Sequence, residues 1–175
     1  MKTIKGMFIK NLVSMVKKDK GIEGIEKLKK EFGNDVNFSA MTDFPLETEM
    51  KLHNAIMMVY FGKVSSENYR KLGEMNMHYY SNSIVGKTIF SLIGKDLKTS
   101  ALRAQKFIDT IASGIGIKVK ELGEKKLSLT LEGLPYPIEY YKGICEESLA
   151  YFKKKGKIIA TKSGPDEYTY IAEWE

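Results

Sequence analysis

Apolar positions recur at helical spacing through the first part of the chain and switch to strict alternation after Gly114, so helices should come first and strands afterwards. Ile4, Phe8, Leu12, Met15 and Val16 predict an amphipathic first helix, which ends in a lysine-rich run where Gly21 can cap it. Ile22, Ile25, Leu28 and Phe32 predict a second, stopped by Gly33-Asn34-Asp35. Residues 36–44 carry no period. A third helix should run from Pro45 to about Phe61 and close at Gly62, with Glu47 and Glu49 suited to its positive N-terminus. Met50, His53, Met57 and Tyr60 lie along one side of it.

The most informative stretch is Ser65 to Ile93, where Ser65 should cap a central helix. Tyr69, Leu72, Gly73, Asn76, Tyr79 and Tyr80 share one face of it, and Glu67, Arg70, Lys71, Glu74 and His78 fall on the other. An amide therefore sits inside an apolar stripe. Gly73 costs roughly 1 kcal/mol relative to Ala in a helix interior, which points to another backbone, or a ligand, passing close by. Either Asn76 is bonded inside a tight helix crossing or it faces a bound molecule. After Ser81-Asn82-Ser83 a short helix over Ile84 to Ile93 should end at Gly94, and another should begin at Thr99 or Ser100 and carry Leu102, Phe107, Ile108 and Ile111.

Ile115, Ile117 and Val119 then alternate with polar residues, as do Leu127, Leu129 and Leu131 after a Gly123-Glu124 turn, predicting a hairpin with one buried face. Ile138, Tyr141, Ile144, Cys145, Leu149 and Phe152 mark a helix to about Lys155, and Ile158 to Thr161 and Tyr168 to Trp174 predict a second hairpin across Ser163-Gly164-Pro165-Asp166. The expected architecture is α+β: a helical N-terminal half followed by ββαββ, with a four-stranded antiparallel sheet covered on one face. No repeat or linker divides the chain, so residues 1–175 should form one domain.

Composition narrows the function more than it names one. The 175 residues are 43% hydrophobic and 29% charged, ordinary for a globular protein. The net charge of +6 raises nucleic acid or an anionic surface as a partner, but the lysine clusters at 17–20, 27–30 and 153–155 are interleaved with acids and fall near helix ends, where lysine complements the helix dipole. Nucleic acid is therefore not expected. No run is long enough to span a membrane, and lysines at 2, 5 and 10 interrupt any secretory leader; the cytoplasm is the expected location. The single cysteine, Cys145, excludes an internal disulfide and a cysteine-based zinc cluster.

Catalytic chemistry is hard to find. His53 and His78, the two histidines, form a nucleophile pair with Cys145 only if the fold brings them together. His53, on an apolar face, is best read as a satisfied core or boundary histidine, and His78, one turn after Glu74, as part of an exposed ion pair. GxxxxGK[ST], HExxH, CxxC and GxSxG are all absent, and no pair of carboxylates stands out as acid and base. Nine methionines and ten tyrosines are suited to an adaptable apolar cavity edged with hydroxyls, or equally to a methionine-rich core.

The TIKGMFIKNL start, the Leu72-Gly73-x-x-Asn76 helix, the Gly86-Lys87-Thr88-Ile89 helix start and the ββαββ half with YYKGICEES on its helix resemble the H-NOX haem-nitric-oxide-binding fold. The same superfamily includes 4-vinyl-reductase-type hydrocarbon-sensing domains and small TRAPP trafficking subunits. The KGxF start, central LG and Gly-rich late helix are most similar to a haem-less bacterial, myxobacterial-type branch. The resemblance implies a distal pocket shaped by Ile4, Phe8, Asn76, Tyr80 and Tyr140. The family's proximal histidine aligns near Ser100, and its Tyr-x-Ser-x-Arg motif falls on Leu131, Gly133 and Pro135. Without an imidazole or a guanidinium at those places, no haem or other cofactor is expected. The implied function is a non-catalytic sensory domain that holds a small apolar molecule and signals to a protein partner, with the homodimer that related domains often form as its expected assembly. Two alternatives remain open: a TRAPP-like interaction module with a solid interior, or an unconventional haem or nitric oxide sensor using His53 or His78.

Overall fold

In the computed structural model, residues 2–175 are described, except for the side chains of residues 105–107 and 109–111. Phe107 and Ile111, placed on a buried face by their spacing, lie outside the described side chains. The chain begins with a short strand, β1 (Thr3–Lys5), and not with a helix. β1 pairs antiparallel with β2 (Asp43–Pro45) and β3 (Ala112–Ser113), and Ile4 stands opposite both Phe44 and Ala112. Ile4 keeps its apolar neighbours, but the backbone hydrogen bonds of two partner strands overrode the helical period.

Helix α1 (Gly6–Phe32) contains both of the first two expected helices, separated at Gly21, where φ is 65° and ψ is −155°. That backbone is accessible to glycine at little cost, so the chain turns at the expected position without a connecting loop. α2 (Leu46–Phe61) follows β2 directly and buries Leu46, Glu49, Leu52, His53, Ala55, Ile56 and Met57. Its acidic first turn is thus divided, with Glu47 exposed and Glu49 inside. α3 (Ser66–Asn82) begins as expected, with the Ser65 hydroxyl accepting from the Asn68 amide at 3.2 Å. α4 (Ile84–Ile93) ends at Gly94, and α5 (Leu97–Ile111) starts two or three residues earlier than its spacing implies. The reason is Asp96, whose carboxylate accepts from the Thr99 amide at 2.9 Å and caps the helix.

The remainder is β4 (Gly116–Gly123), β5 (Lys126–Glu132), α6 (Ile138–Tyr151), β6 (Gly156–Gly164) and β7 (Glu167–Trp174), the expected ββαββ. α6 stops short of Lys155 because Lys153 takes a left-handed conformation, φ 55°. The strands form an antiparallel sheet in the order β4-β5-β7-β6. Its register sets Ile117 opposite Leu131, Val119 opposite Leu129, Leu129 opposite Tyr170 and Leu127 opposite Ala172, so one face is continuously apolar. α5 packs along β4 and α6 along β6, covering that face.

α6 crosses α3 at very close range. A Cβ on Gly73 would stand 2.0 Å from the Tyr140 carbonyl oxygen, and one on Gly143 would stand 2.0 Å from the Arg70 carbonyl oxygen. Each helix contributes a glycine so that the other's backbone can approach. Arg70 clamps the crossing from outside, donating through Nε and Nη2 to the two oxygens of Glu146 at 2.6 and 2.8 Å.

Candidate functional site

The close approach of α3 to α6 fixes two side chains that emerge just beyond it, Asn76 and Tyr140. Nδ2 of Asn76 donates to the Tyr140 hydroxyl at 2.8 Å, and Oδ1 of Asn76 accepts from Nδ2 of Asn11 on α1 at 3.4 Å. The amide is thus bonded internally, and it also lines a cavity. That cavity has a volume of about 320 Å³ and lies between the helices and the apolar face of the sheet. It sits at the low end of the ~300–1,000 Å³ typical of small-molecule sites. Ile4, Phe8, Asn76, Tyr80 and Tyr140 all line it.

Phe8 and Tyr80 pack with ring centroids 5.8 Å apart, forming one apolar side of the chamber. The buried Tyr80 hydroxyl has no hydrogen-bond partner among the described residues, and burial pushes its pKa up to about 12. Opposite, Ile117, Val119, Leu127, Leu129 and Leu131 present the sheet. Cys145 also reaches the wall, but burial pushes its thiol up to about 12, so it is protonated at neutral pH and a poor nucleophile.

Beside the amide chain lies a buried cluster that the sequence reading passed over. Glu49 lines the cavity, and its Oε2 accepts a hydrogen bond from the Tyr136 hydroxyl. Its Oε1 lies 3.9 Å from Nε2 of His53. Burial pushes the Glu49 carboxyl up to about 7, against the opposing effect of the Tyr136 hydrogen bond, and pushes His53 down to about 3. His53 is fully buried, stacked 4.4 Å from the Tyr140 ring, and neither ring nitrogen has a partner among the described residues. It is a core histidine but not a satisfied one, a correction to the reading from its apolar face. Glu49 could have been found by its spacing, since it shares the buried face of α2 with His53 and Leu52. Asn11 and Tyr136 carried no comparable signal, because their partners are remote in sequence.

His78 is exposed, as expected, but its partner is Glu147 on α6, with Nδ1 2.8 Å from Oε1, and not Glu74. Neither histidine is on the cavity wall or bonded to Cys145. Ser100, where the resemblance aligned a proximal histidine, is buried and donates its hydroxyl to the Gly94 carbonyl at 3.1 Å. Among the described residues no lysine or arginine lines the cavity, and no group of three histidine, cysteine or carboxylate side chains is disposed to hold a metal. No described helix is long and apolar enough to cross a membrane.

A family model described as "Protein of unknown function (DUF2378)" matches residues 1–175. The chain belongs to this family. No protein of curated function matches it. Solved structures similar to this family member are H-NOX proteins. One, a phenylalanine-to-leucine variant of Tt H-NOX, has a TM-score of 0.79 at 14% identity, covering 98% of this chain and 95% of that one. An oxygen-binding H-NOX domain related to soluble guanylate cyclases has a TM-score of 0.76 at 13% identity, covering 98% and 95%. The Fe(II) unliganded H-NOX protein from K. algicida has a TM-score of 0.71 at 14% identity, covering 98% and 97%. The fold is therefore H-NOX-like across nearly the whole chain.

Proposed function

We propose that this family member is a haem-free, non-catalytic sensory or binding domain that holds a small apolar molecule in the cavity and signals through contact with a protein partner. The observation that carries the reading is the cavity itself: about 320 Å³, walled by aliphatic and aromatic side chains, with the Asn11–Asn76–Tyr140 chain as a polar seam. Asn76 and Tyr140 would orient a polar group, and Ile4, Phe8 and Tyr80 would supply contact area.

The lining does not fit haem in the manner the resemblance implies. It offers no imidazole to the iron and, among the described residues, no cation to the propionates, while Glu49 would repel them. The same lack of a convincing nucleophile or acid–base pair supports a binding role over a catalytic one. Purified protein incubated with lipid extract and examined by native mass spectrometry should carry a small adduct that Asn76→Leu weakens. Protein that stays empty, with Asn76→Leu only raising stability, would defeat the reading.

The interaction-module alternative has one observation in its favour. Ile84 and Leu92 on α4 are 87% and 71% exposed, with Val85 beside them. Its prediction of a solid interior does not agree with the cavity.

A further inference from the structure

We propose that the cavity takes an apolar primary amine, with the Glu49 carboxylate as the partner of its ammonium group. The assignment rests on the small-molecule reading above and names the class of ligand. Glu49 is 5% exposed, lies on the cavity wall, and has one oxygen held by the Tyr136 hydroxyl. Its other oxygen has no hydrogen bond among the described residues and faces Nε2 of His53 across 3.9 Å.

Among the described residues, the groups around this carboxyl supply no positive charge. His53 on its own helix is held neutral at pH 7 by burial, which lowers its pKa to about 3. The groups of the loop before α6 and of α6 itself that act on Glu49 are the phenols of Tyr136, Tyr140 and Tyr141, all shifted upward and uncharged. A carboxyl that titrates near 7 is therefore about half ionised at neutral pH, in apolar surroundings with no counter-ion among the described residues. An ionised group so placed is costly until a cation meets it. An ammonium group entering the cavity would offset that cost, whereas a carboxylate ligand would add a second negative charge. The remaining wall, including Phe90, Leu129 and Ile144, is apolar and suits a hydrocarbon body. The volume is about twice the ~150 Å³ that admits benzene in an apolar cavity, which leaves room for a chain of about eight carbons.

The test is isothermal titration of the full chain with n-octylamine, 1-octanol and sodium octanoate at pH 6 and pH 8. At pH 8 the amine should bind roughly tenfold or more tightly than the alcohol, and the octanoate more weakly than either. Amine affinity should rise about tenfold from pH 6 to pH 8 as a carboxyl titrating near 7 ionises, the amine itself staying protonated throughout. Glu49→Gln should bring the amine-to-alcohol ratio to one or below, since an ammonium without a counter-ion is costly in an apolar cavity, and remove its pH dependence. Tyr136→Phe retains the carboxyl but removes the hydrogen bond that favours its ionised form, so the rise in amine affinity should move to higher pH; an unmoved pH dependence would overturn the assignment even if Glu49→Gln fails to fold. Octanoate binding as tight as octylamine, or an unchanged preference in Glu49→Gln, would overturn the assignment. Binding of all three probes without a charge preference would overturn it and leave the small-molecule reading standing. Binding of none would overturn both.

Discussion

The two sides of the cavity are built on different principles. On one side α3 and α6 are locked together: Gly73 and Gly143 bring the backbones within van der Waals contact, Arg70 and Glu146 clamp the outside, and Asn76 and Tyr140 are bonded just beyond the crossing. On the other side α4 and α5 form a thin wall. Gly86 is the one buried residue of α4, while Ile84 and Leu92 point largely into solvent. Ile89, Phe90, Ile93, Leu97 and Ala101 meet the cavity from this wall. A chamber needs one face that cannot collapse and one that gives, and close-packed interiors rarely leave such space unless the surrounding backbone holds it open. The locked side positions the polar groups, and the thin side closes the chamber with apolar side chains.

The contrast is most easily broken at the crossing. Gly73→Ala or Gly143→Ala sets a methyl carbon 2.0 Å from a carbonyl oxygen of the facing helix, so the helices must separate. The expected loss is about 3 kcal/mol or more in urea denaturation, together with loss of ligand binding.

The buried cluster behind the locked side gives the next largest effect, read as stability against pH. The folded pKa of Glu49, about 7, is above its ordinary 4.5, so the protonated carboxyl contributes fully below pH 4.5 and that contribution is lost as pH rises toward 7. His53, at about 3 against an ordinary 6.5, behaves oppositely: its contribution is present above pH 6.5 and is lost as pH falls toward 3. Between pH 4.5 and pH 6.5 the two slopes oppose each other, each at most ~1.4 kcal/mol per pH unit. Stability of the native chain should be nearly flat there. Glu49→Gln should lose stability as pH falls through that window, and His53→Gln should gain it. Parallel slopes in the two variants would show that the groups are not buried as described.

Asn76→Leu sharpens the comparison at the polar seam. It leaves the Tyr140 hydroxyl and the Asn11 amide without their partner, and should cost about 1–2 kcal/mol in thermal unfolding. The smallest effect belongs to the thin wall. Leu92→Ser should change stability by no more than about 0.5 kcal/mol, because the side chain is already 71% exposed. A gain in solubility or the loss of a partner complex, with stability unchanged, would identify α4 as a contact surface.

Period and punctuation were enough to place most of the secondary structure. Gly21, Gly62, Ser65, Gly94 and the alternation through Ile117 and Leu129 mark boundaries that local backbone chemistry decides, and the α+β class follows from their order. The stripe on α3 also announced, through Gly73, that another backbone or a ligand comes close, and the structure sets the α6 backbone there. What local pattern could not supply was anything that depends on pairing across the chain. Thr3–Lys5 is a strand because two remote segments offer it hydrogen bonds, and His78 pairs with Glu147 because α6 lies beside α3. Glu49 looked like a helix-dipole acid and is instead a buried carboxyl, since only the tertiary structure sets Tyr136 and His53 against it. Sequence alone determined where most of the helices and the four strands of the larger sheet lie and which face of each is apolar, because those are properties of neighbouring residues. The cavity and the ionisation of its carboxyl were decided by tertiary structure, because empty space and the removal of water exist only once distant segments have packed together.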